Sequence, residues 1–496
     1  MLHSYDARKV SLNMNISKLI LTAVFIVPTM GRGEAVPNFA EDIAPIVFSK
    51  CTSCHRPGEA APFPFMSFRD VQKRGKLIAR VVRSGFMPPW HAESKDFHFE
   101  GDRTLSEQSI AAIASWVEGG MPEGDASKTP ELPEFTEGWQ LGKPDLVVKM
   151  AESYTLHAEG PDIYRNFVIP LNTKEEKWIQ AIEFRPGARS VVHHSLFYYD
   201  TTGTARNLDK AEKSAGFRRM GKEFRGNGIG GWAVGGTPRM LPEGLAHRLP
   251  KGADLVLSTH FHPSGKEESE ISTVGLYFAD ARPLQGFSGV QLPPLFGALA
   301  GVMIPAGDSN YEKMDSFVLP VAVNAFGVSA HAHYLGKSLD MLAILPDGTT
   351  KQMLSMPSWD FAWQEEYRYS EPVYLPEGTR LEAAIVWDNS DDNINNPNNP
   401  PKPVRWGRES DDEMGCVTLM VVAAKPKELT KLKDDYRDHI RKAASEAVAK
   451  RFAGAGGQGR GNLRKKVIER FDKDKDGKLN DKEATAARKF YRGNRF

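Results

Sequence analysis

The sequence predicts a multidomain protein with a small all-α domain, two tandem β-sandwiches of jelly-roll-like type, and a C-terminal α-helical unit. Its 496 residues are too many for one ordinary hydrophobic core. A helical pattern before residue 126 gives way to short β-branched and aromatic runs over residues 139–424. A Gly-rich linker at residues 453–461 then separates a final unit, residues 462–496. These three observations set the domain order.

The N-terminal residues 1–35 are expected to be a secretory signal peptide. The apolar run Leu19–Val27 follows Lys18 and precedes small residues that end at Ala35. This run is too short to span a bilayer, and its flanks are typical of an export signal. An uncleaved N-terminal anchor is the alternative. In both cases we expect a periplasmic or secreted protein, with no membrane span after signal removal.

Charge and cysteine content exclude several classes of protein. The formal net charge is +1, so no global field favours nucleic acid, and we expect no nucleic-acid partner. The three cysteines, Cys51, Cys54 and Cys416, are too few for the disulfide framework of a small exported protein. The core must therefore be stable through burial, and two cysteines are available for other chemistry.

Residues 36–127 read as the all-α domain, followed by a linker over 128–140 that is rich in Pro, Glu and Thr. Helices are expected around Phe39–Phe48, Val71–Arg83 and Ser106–Glu118, the last stopped by two glycines.

The segment Cys51-Thr52-Ser53-Cys54-His55 predicts one covalently attached haem c. Its C-x-x-C-H pattern places two thiols one helical turn apart, where both can form thioethers to one porphyrin, with His55 under the iron. A redox C-x-x-C with an incidental histidine is the alternative, but that motif needs a βαβ setting.

Met87 is our candidate for the sixth ligand of the haem iron. It lies in a Pro-stiffened loop, Phe86–Trp90, where a thioether would be held rigidly and would raise the potential. Met121 and His91 compete with it, and core packing is the alternative role for Met87. This stretch resembles the small c-type cytochrome domains of bacterial exported proteins, in which a Met-Pro loop follows the haem motif.

The β region divides into two sandwiches, residues 141–290 and 291–424, with the boundary around Gly286–Leu299. Short runs separated by Gly, Pro, Asn and Asp turns are typical of such folds. The expected strands are Asp145–Met150, Lys177–Phe184, Ser190–Tyr199, Asp254–His262, Thr273–Phe278, Met341–Leu345, Arg380–Trp387 and Val417–Ala423. The Asn- and Pro-rich run Asp391–Pro403 is expected to be a polar loop.

Histidines of the β region cluster in pairs, which indicates metal binding. The pairs are His193-His194, His260 with His262, and His331 with His333. Residues i and i+2 of a strand share a face, whereas adjacent residues do so only at a bend, a bulge or a strand end. Packed or surface histidines are the alternative. Nitrogen ligands suit copper or zinc, and a nearby thioether, Met414, favours Cu(I).

Four short segments together resemble the copper type II, ascorbate-dependent monooxygenases, the family of peptidylglycine alpha-hydroxylating and dopamine beta-monooxygenases. They fall in the family's order over 141–424 and are Val192–Ser195, Leu257–Phe261, His331–Lys337 and Asp412–Met414.

The resemblance implies two copper ions and an oxidoreductase activity. It assigns His193, His194 and His260 to an electron-transfer copper. It assigns His331, His333 and Met414 to the copper where dioxygen is used to hydroxylate a C–H bond of a small organic substrate. Electrons would come from an ascorbate-like reductant or a redox protein, and we expect the haem to relay them. His262 has no counterpart, which leaves a ligand-orienting residue, an alternative ligand or a surface residue.

Two departures from the family exclude peptidylglycine as the expected substrate. Ser329 stands where the peptide-amidating enzymes have a substrate-gripping arginine, and Thr418 stands where they have a tyrosine. Cys416 is expected to be buried and inert. A non-catalytic copper-binding or electron-transfer protein with a degenerate fold is therefore the alternative function.

The C-terminal residues predict a calcium-binding EF-hand at 462–496, after a helix and linker over 425–461. The loop supplies its ligands from Asp472, Asp474, Asp476, Lys478 (through its carbonyl) and Glu483. Gly477 makes the required turn, and an acidic turn between solvated helices is the alternative. A single hand is expected to have a structural role and to dock on Lys425–Phe452 or on another molecule.

Overall fold

The protein is described from a computed structural model over residues 36–454, except 60, 137, 219–226 and 235, together with residue 473. The predicted signal peptide and the predicted EF-hand ligands therefore lie outside the described residues. Within these residues, no helix has both the length and the apolar character needed to cross a membrane.

The helices are concentrated in the N-terminal part of the chain. The α-helices of the described residues are α1 (Ala44–Lys50), α2 (Phe68–Gln72), α3 (Gly75–Arg83), α4 (Glu107–Glu118), α5 (Thr204–Lys210) and α6 (Leu429–Gly454). A π-helical turn, Phe39–Ile43, leads into α1. The side chain of Ser106 accepts a hydrogen bond from Ser109 N and caps α4.

The helical unit has its own apolar core, in which Phe39, Val47 and Ile78 pack around Trp116. The single helix predicted over Val71–Arg83 is wrong, because α2 and α3 are separate. Arg74 leaves the helical conformation between them, with φ −119° and ψ 7°. Gly75 then allows α3 to approach α4 closely, since a Cβ there would lie 2.5 Å from the sulfur of Met121.

The rest of the described chain is mainly β-structure. The strands are β1 (Leu146–Lys149), β2 (Tyr154–Leu156), β3 (Ile163–Pro170), β4 (Lys177–Arg185), β5 (Val192–Asp200), β6 (Asn227–Ala233), β7 (His247–Leu249), β8 (Asp254–Phe261), β9 (Glu268–Glu270), β10 (Thr273–Phe278), β11 (Ser288–Leu292), β12 (Met303–Ile304), β13 (Tyr311–Val318), β14 (Val323–Ala332), β15 (Gly336–Ile344), β16 (Thr350–Met356), β17 (Glu366–Leu375), β18 (Arg380–Trp387), β19 (Val404–Arg405) and β20 (Gly415–Ala423).

These strands form two sandwich-like units, as the sequence predicts. In the first unit, the sheets β1-β10-β4-β7 and β3-β8-β5-β6 enclose a core that includes Phe184, Phe197 and Leu257. In the second unit, the sheets β11-β20-β14-β17 and β13-β18-β15-β16 enclose a core that includes Leu339 and Trp387. Inward-facing residues alternate with outward-facing ones along β18, as expected for a half-buried strand.

Several predicted strand bounds are confirmed. β10 and β18 match the sequence prediction at both ends, and Asp391–Pro403 contains no strand. β15 begins at Gly336, earlier than predicted, because its first residues pair with the end of β18 at Trp387. β11 begins at Ser288 and pairs with β20, so it belongs to the second sandwich.

The chain that follows α3 docks the helical unit onto the second sandwich. Glu93 and Ser355 exchange two main-chain hydrogen bonds of 2.8 Å each. Phe99 is buried in the core of the second sandwich, where its ring stacks on Tyr369. The Trp90 ring meets Tyr367 edge-on at 5.0 Å. These three contacts hold the helical unit, which carries the predicted haem segment, against the second sandwich.

Candidate metal centres and haem segment

The first histidine cluster depends on a β-bulge in β5. Val192 pairs with Phe261 of β8 and His194 pairs with His260, so His193 is the extra residue. The sequence required a bend, a bulge or a strand end for adjacent histidines to converge, and a bulge meets that condition. The Nδ1 atoms of His193 and His194 consequently lie 3.1 Å apart.

His193, His194 and His260 form a group that could hold a metal ion. Each offers a ring nitrogen, and these atoms all lie within 4.8 Å of one another. His260 is 1% exposed, and in the described part of the chain its Nδ1 is buried with no hydrogen-bond partner. A buried ring nitrogen without a partner is unfavourable unless it binds something, so the cluster fits a metal ion.

Asp162, just before β3, fixes the orientation of His260. One carboxylate oxygen lies 2.7 Å from Nε2 of His260 and the other lies 2.8 Å from Nδ1 of His262. A carboxylate bound to one nitrogen of a metal-binding histidine sets the tautomer and leaves the other nitrogen as the ligand atom. The side chain of His262 is 67% exposed, and it contacts the same carboxylate that orients His260. The sequence alone had left the role of His262 open.

Tyr164 covers the first cluster and reaches the second sandwich. Its ring stacks on His260 at 4.2 Å with an interplanar angle of 5°. Its hydroxyl lies 2.8 Å from Oγ of Ser410, which in turn donates to Asp162 at 3.4 Å. The environment of the first cluster is thus built by both sandwiches.

The second cluster lies where β14 ends. The rings of His331 and His333 are perpendicular, with centroids 5.2 Å apart. Nδ1 of His331 lies 2.7 Å from Oε1 of Gln364, and Nδ1 of His333 lies 3.0 Å from the carbonyl of Asp412. Both rings therefore engage the protein through Nδ1. Met414 is buried and directly precedes Gly415, which pairs with Ala332, so the strand register brings it beside His333.

Glu413 organises the second cluster from within the core. Its fully buried carboxylate accepts hydrogen bonds from the main-chain N–H groups of His333 (3.0 Å), Leu335 (2.6 Å) and Met414 (3.1 Å). Nε1 of Trp387 donates a fourth, at 2.9 Å. Burial raises the pKa of this carboxyl to about 8. The N–H donors favour the charged form and lower the pKa, but burial outweighs them.

Four histidines of the two clusters, His193, His194, His331 and His333, have lowered pKa values and are neutral at pH 7, the protonation state in which imidazole binds metals. Burial lowers the pKa of His193 to about 4, that of His331 to about 4 and that of His333 to about 3. The pKa of His194 is also well below its ordinary value, first through burial and then through neighbouring histidines that include His331 and His333.

Phe361 contacts both clusters. Its ring centroid lies 5.3 Å from that of His193 and 5.6 Å from that of His333. It also packs on Tyr334 at 4.5 Å. The two clusters are therefore neighbours across one aromatic ring, on strands of different sandwiches.

The predicted haem segment follows α1 directly. Cys51 and Cys54 are free thiols, and burial raises the pKa of Cys51 to about 12. Nδ1 of His55 lies 3.0 Å from the carbonyl of Phe63, and the His55 ring stacks on Phe65 at 4.2 Å. A hydrogen bond at Nδ1 orients the ring and leaves Nε2 as the nitrogen that would bind the iron, so these residues fit the predicted haem c.

The three candidates for the sixth ligand have different surroundings. Met87 is half-buried and its main-chain N–H donates to Val81 at 3.1 Å. Met121 packs against Gly75 and Trp116 between the helices. Nε2 of His91 is buried without a hydrogen-bond partner in the described residues. Burial lowers the pKa of His91, and Asp360 of the second sandwich acts in the opposite direction.

Comparisons with known proteins assign the chain to no family. No protein-family model and no curated protein matches it. Similar solved structures include PNGase F, a glycosylasparaginase from Flavobacterium meningosepticum, at 11% identity and a TM-score of 0.26, over 57% of this chain and 96% of that chain. The major capsid protein P2 of bacteriophage PM2 matches at 10% identity and a TM-score of 0.24, over 56% and 98%. At these TM-scores neither likeness carries an argument about function.

The roles of four residues around the site could not be predicted from the sequence. Asp162, Arg103, Phe361 and Gln364 lie in loops or irregular segments, and each acts on residues distant in the chain. Glu413 belongs to a segment that the family resemblance includes, but its four hydrogen bonds become visible only in the folded protein.

Proposed function

We propose that this protein is an exported copper-dependent monooxygenase that hydroxylates a C–H bond of a small organic substrate, with a c-type haem as its electron inlet. The observation that carries the proposal is the meeting of two histidine clusters across Phe361. Each cluster comes from a different sandwich, and burial lowers the pKa of four of the five imidazoles. Such a pair of nitrogen-rich sites suits two redox-active copper ions.

The first centre is assigned to His193, His194 and His260. The short distance between two Nδ1 atoms and the partnerless Nδ1 of His260 support ligation through Nδ1 in all three rings. The second centre is assigned to His331 and His333 through Nε2, because Nδ1 of each ring engages the protein. Met414 supplies the thioether that favours Cu(I).

Copper at these centres would supply one-electron chemistry and, at the second, an open position for dioxygen. The protein's own residues hold the rings deprotonated, orient them and exclude water. Asp162 and Gln364 orient the rings at opposite centres, while Glu413 fixes the main chain of His333 and Met414. Phe361 and Tyr334 fill the space between the centres with aromatic surface.

The residues at the family's substrate position indicate a substrate other than peptidylglycine. Ser329 lies opposite Thr418 on one side and Glu366 on the other. None of these carries a positive charge, so a substrate carboxylate has no cation at this position.

A direct test is oxygen-dependent product formation by the full-length protein loaded with haem and copper. With ascorbate as reductant, a panel of small organic substrates and ¹⁸O-labelled dioxygen, we expect one labelled oxygen atom in a hydroxylated product. His333→Ala should abolish the product. His247→Ala, which removes a histidine of β7 that lies on neither cluster, should retain it.

Electron paramagnetic resonance provides the companion measurement, with two type II copper signals and one low-spin haem per chain expected. The second candidate function, a copper-binding electron carrier, is favoured by the absence of the substrate arginine at Ser329. That function predicts both copper signals and reversible haem reduction, without labelled product from any substrate. Absence of the copper signals from the copper-loaded wild-type protein would contradict both functions.

A further inference from the structure

One loop of the second sandwich touches both histidine clusters and, through Arg103, the helical unit that carries the predicted haem segment. This bridging loop is Trp359–Glu365, between β16 and β17. Phe361 contacts both clusters, and Oε1 of Gln364 lies 2.7 Å from Nδ1 of His331. Nε2 of Gln364 donates to the carbonyl of Phe361 at 2.9 Å, so the loop itself fixes the amide that binds His331.

Arg103 joins the bridging loop to the helical unit. Its guanidinium donates to Glu365 at 2.5 Å and to the carbonyl of Pro89 at 3.2 Å, and it lies 5.0 Å from the Trp90 ring. Arg103 is 7% exposed. A buried ion pair of this kind holds its geometry, because separating either partner leaves an uncompensated charge.

The same ion pair lies near the predicted haem segment, since Nζ of Lys50, the residue before Cys51, donates to the carbonyl of Asp102, the residue before Arg103, at 2.7 Å. The pKa of Cys54 is raised by burial, and the charges of Arg103 and Glu365 both act on it. Nε of Arg103 is buried and has no acceptor among the described residues. A haem propionate is an anionic acceptor of the kind that a buried guanidinium binds.

We propose that Arg103, Glu365 and Gln364 connect the haem to the metal centre of His331 and His333, and that an electron from the haem reaches this centre before the other one. The inference rests on the proposed function. In the step, ferrous haem gives one electron and becomes ferric, while Cu(II) at the second centre becomes Cu(I). No covalent bond forms or breaks, and an external one-electron donor reduces the haem again.

The connection to the first centre is less direct, because the bridging loop reaches His193 only by ring packing of Phe361 at 5.3 Å, without a hydrogen bond to the imidazole. Glu59, near the haem motif, pairs with Arg189 at 3.1 Å, and Gln140 donates to the same carboxylate at 3.3 Å. Arg189 precedes β5, so this contact ends on the chain before His193 and not on a histidine ring. The route through the bridging loop ends on the imidazole of His331. Gln364 is therefore a positioning residue for electron entry.

The test is anaerobic reduction of the haem in the full-length protein that carries haem and copper. A photochemical donor delivers one electron to the haem, and the decay of the ferrous haem absorbance reports its transfer to copper. Gln364→Leu should slow this decay about tenfold or more, the usual effect of removing a hydrogen-bond partner of a metal-binding histidine. Gln364→Glu keeps an acceptor for His331 and should restore the rate.

Matched variants separate the two routes. Glu365→Gln breaks the ion pair with Arg103 and should also slow the decay. Because Glu365 does not contact a histidine ring, this variant still tests the route if Gln364→Leu loses copper. Arg189→Gln breaks the contact with Glu59 and should leave the rate unchanged. His333→Ala, which removes a ligand of the second centre, should abolish the transfer.

Spectroscopy on the one-electron-reduced protein identifies the receiving centre. We expect the copper signal that is missing in His333→Ala to disappear first in the wild-type protein. Prior loss of the other signal, or slowing by Arg189→Gln without slowing by Gln364→Leu and Glu365→Gln, would overturn the inference. Hydroxylation driven by ascorbate tests the proposed function independently, because ascorbate can reduce the copper ions without the haem.

Discussion

At the scale of single residues, one carboxylate organises the first metal centre. Asp162 contacts His260, His262 and Ser410, and it also accepts a hydrogen bond from the hydroxyl of Tyr334. Burial alone would raise the pKa of Asp162, but the hydrogen bonds from the two histidines outweigh it and lower the pKa to about 2. The group is therefore a carboxylate at every physiological pH, and it can hold His260 with Nδ1 directed toward the metal.

Replacement of this carboxylate should weaken the first centre selectively. For Asp162→Asn we expect the copper affinity of the first centre to fall about 10- to 100-fold, because the amide holds the ring less firmly and can bind the wrong tautomer. Copper titration monitored by electron paramagnetic resonance measures this, with the second centre as an internal reference.

His262→Ala is the matched control for Asp162→Asn, since it removes the exposed partner of the same carboxylate and should have a much smaller effect on copper affinity. Equal weakening of both centres by Asp162→Asn would show that the residue acts on the fold as a whole and not on His260.

At the scale of elements, irregular backbone at strand ends assembles both clusters. The bulge at His193 brings two adjacent side chains together beside His260. At the other centre, the turn from β14 to β15 carries His333 and closes at Gly336, whose N–H donates to the His333 carbonyl at 3.2 Å. That carbonyl also accepts a hydrogen bond from Nε1 of Trp359, at 3.1 Å.

This turn requires glycine at residue 336. A Cβ added to Gly336 would lie 2.4 Å from Trp359 and 2.8 Å from the Cβ of Ala332. For Gly336→Ala we therefore expect a loss of about 1–3 kcal/mol in the free energy of unfolding. Because Trp359 opens the bridging loop, weaker copper binding at the second centre should accompany this loss.

Gly228→Ala is the control for the effect of an added methyl group in a strand, because its Cβ would meet only Tyr198, at an ordinary 3.8 Å. Denaturant unfolding and copper stoichiometry of the two variants compare them directly. Equal stability of Gly336→Ala and the wild-type protein would contradict the assigned packing.

At the scale of the whole molecule, three parts of the chain meet at the metal centres. The first sandwich provides one histidine cluster, the second sandwich provides the other, and the helical unit brings the haem motif to their junction through Arg103. The contacts between parts combine buried polar pairing, such as Arg103 with Glu365, and aromatic packing, such as Phe99 on Tyr369.

The buried histidines make the metal-free molecule sensitive to acid. Unfolded histidines take up protons below about pH 6.5. The folded rings of His193 and His331 stay neutral down to about pH 4. The unfolded state therefore binds more protons in this window, and stability falls as the pH is lowered through it. Glu413, with its raised pKa, acts in the opposite direction, but it is one carboxyl against the rings of two clusters.

Thermal unfolding of the metal-free protein should accordingly show a Tm that decreases from about pH 6.5 to about pH 4. Copper should keep the Tm higher in the upper part of this window, because it binds the deprotonated rings and only the folded state presents them together. A metal-free Tm that stays constant across the window would contradict the burial of these rings.

The sequence by itself determined the β-rich, sandwich-like character of residues 139–424 and the grouping of the histidines that the site proposal uses. Periodicity placed β10 and β18 correctly, because strand alternation depends on local pattern, and the spacing of His331 and His333 predicted a shared face. It failed where local pattern competes with packing, as in the break between α2 and α3 at Arg74.

Only the tertiary structure decided how these residues are oriented and connected. The roles of Asp162, Phe361, Gln364 and Arg103 rest on contacts between segments distant in sequence, and no local rule encodes such contacts. The convergence of His193 with His194 required an irregularity in the strand, and the pairing of β5 with β8 shows that this irregularity is a bulge. Candidate metal ligands can be predicted from residue type and spacing, whereas the groups that orient them depend on the packing of three separate parts of the chain.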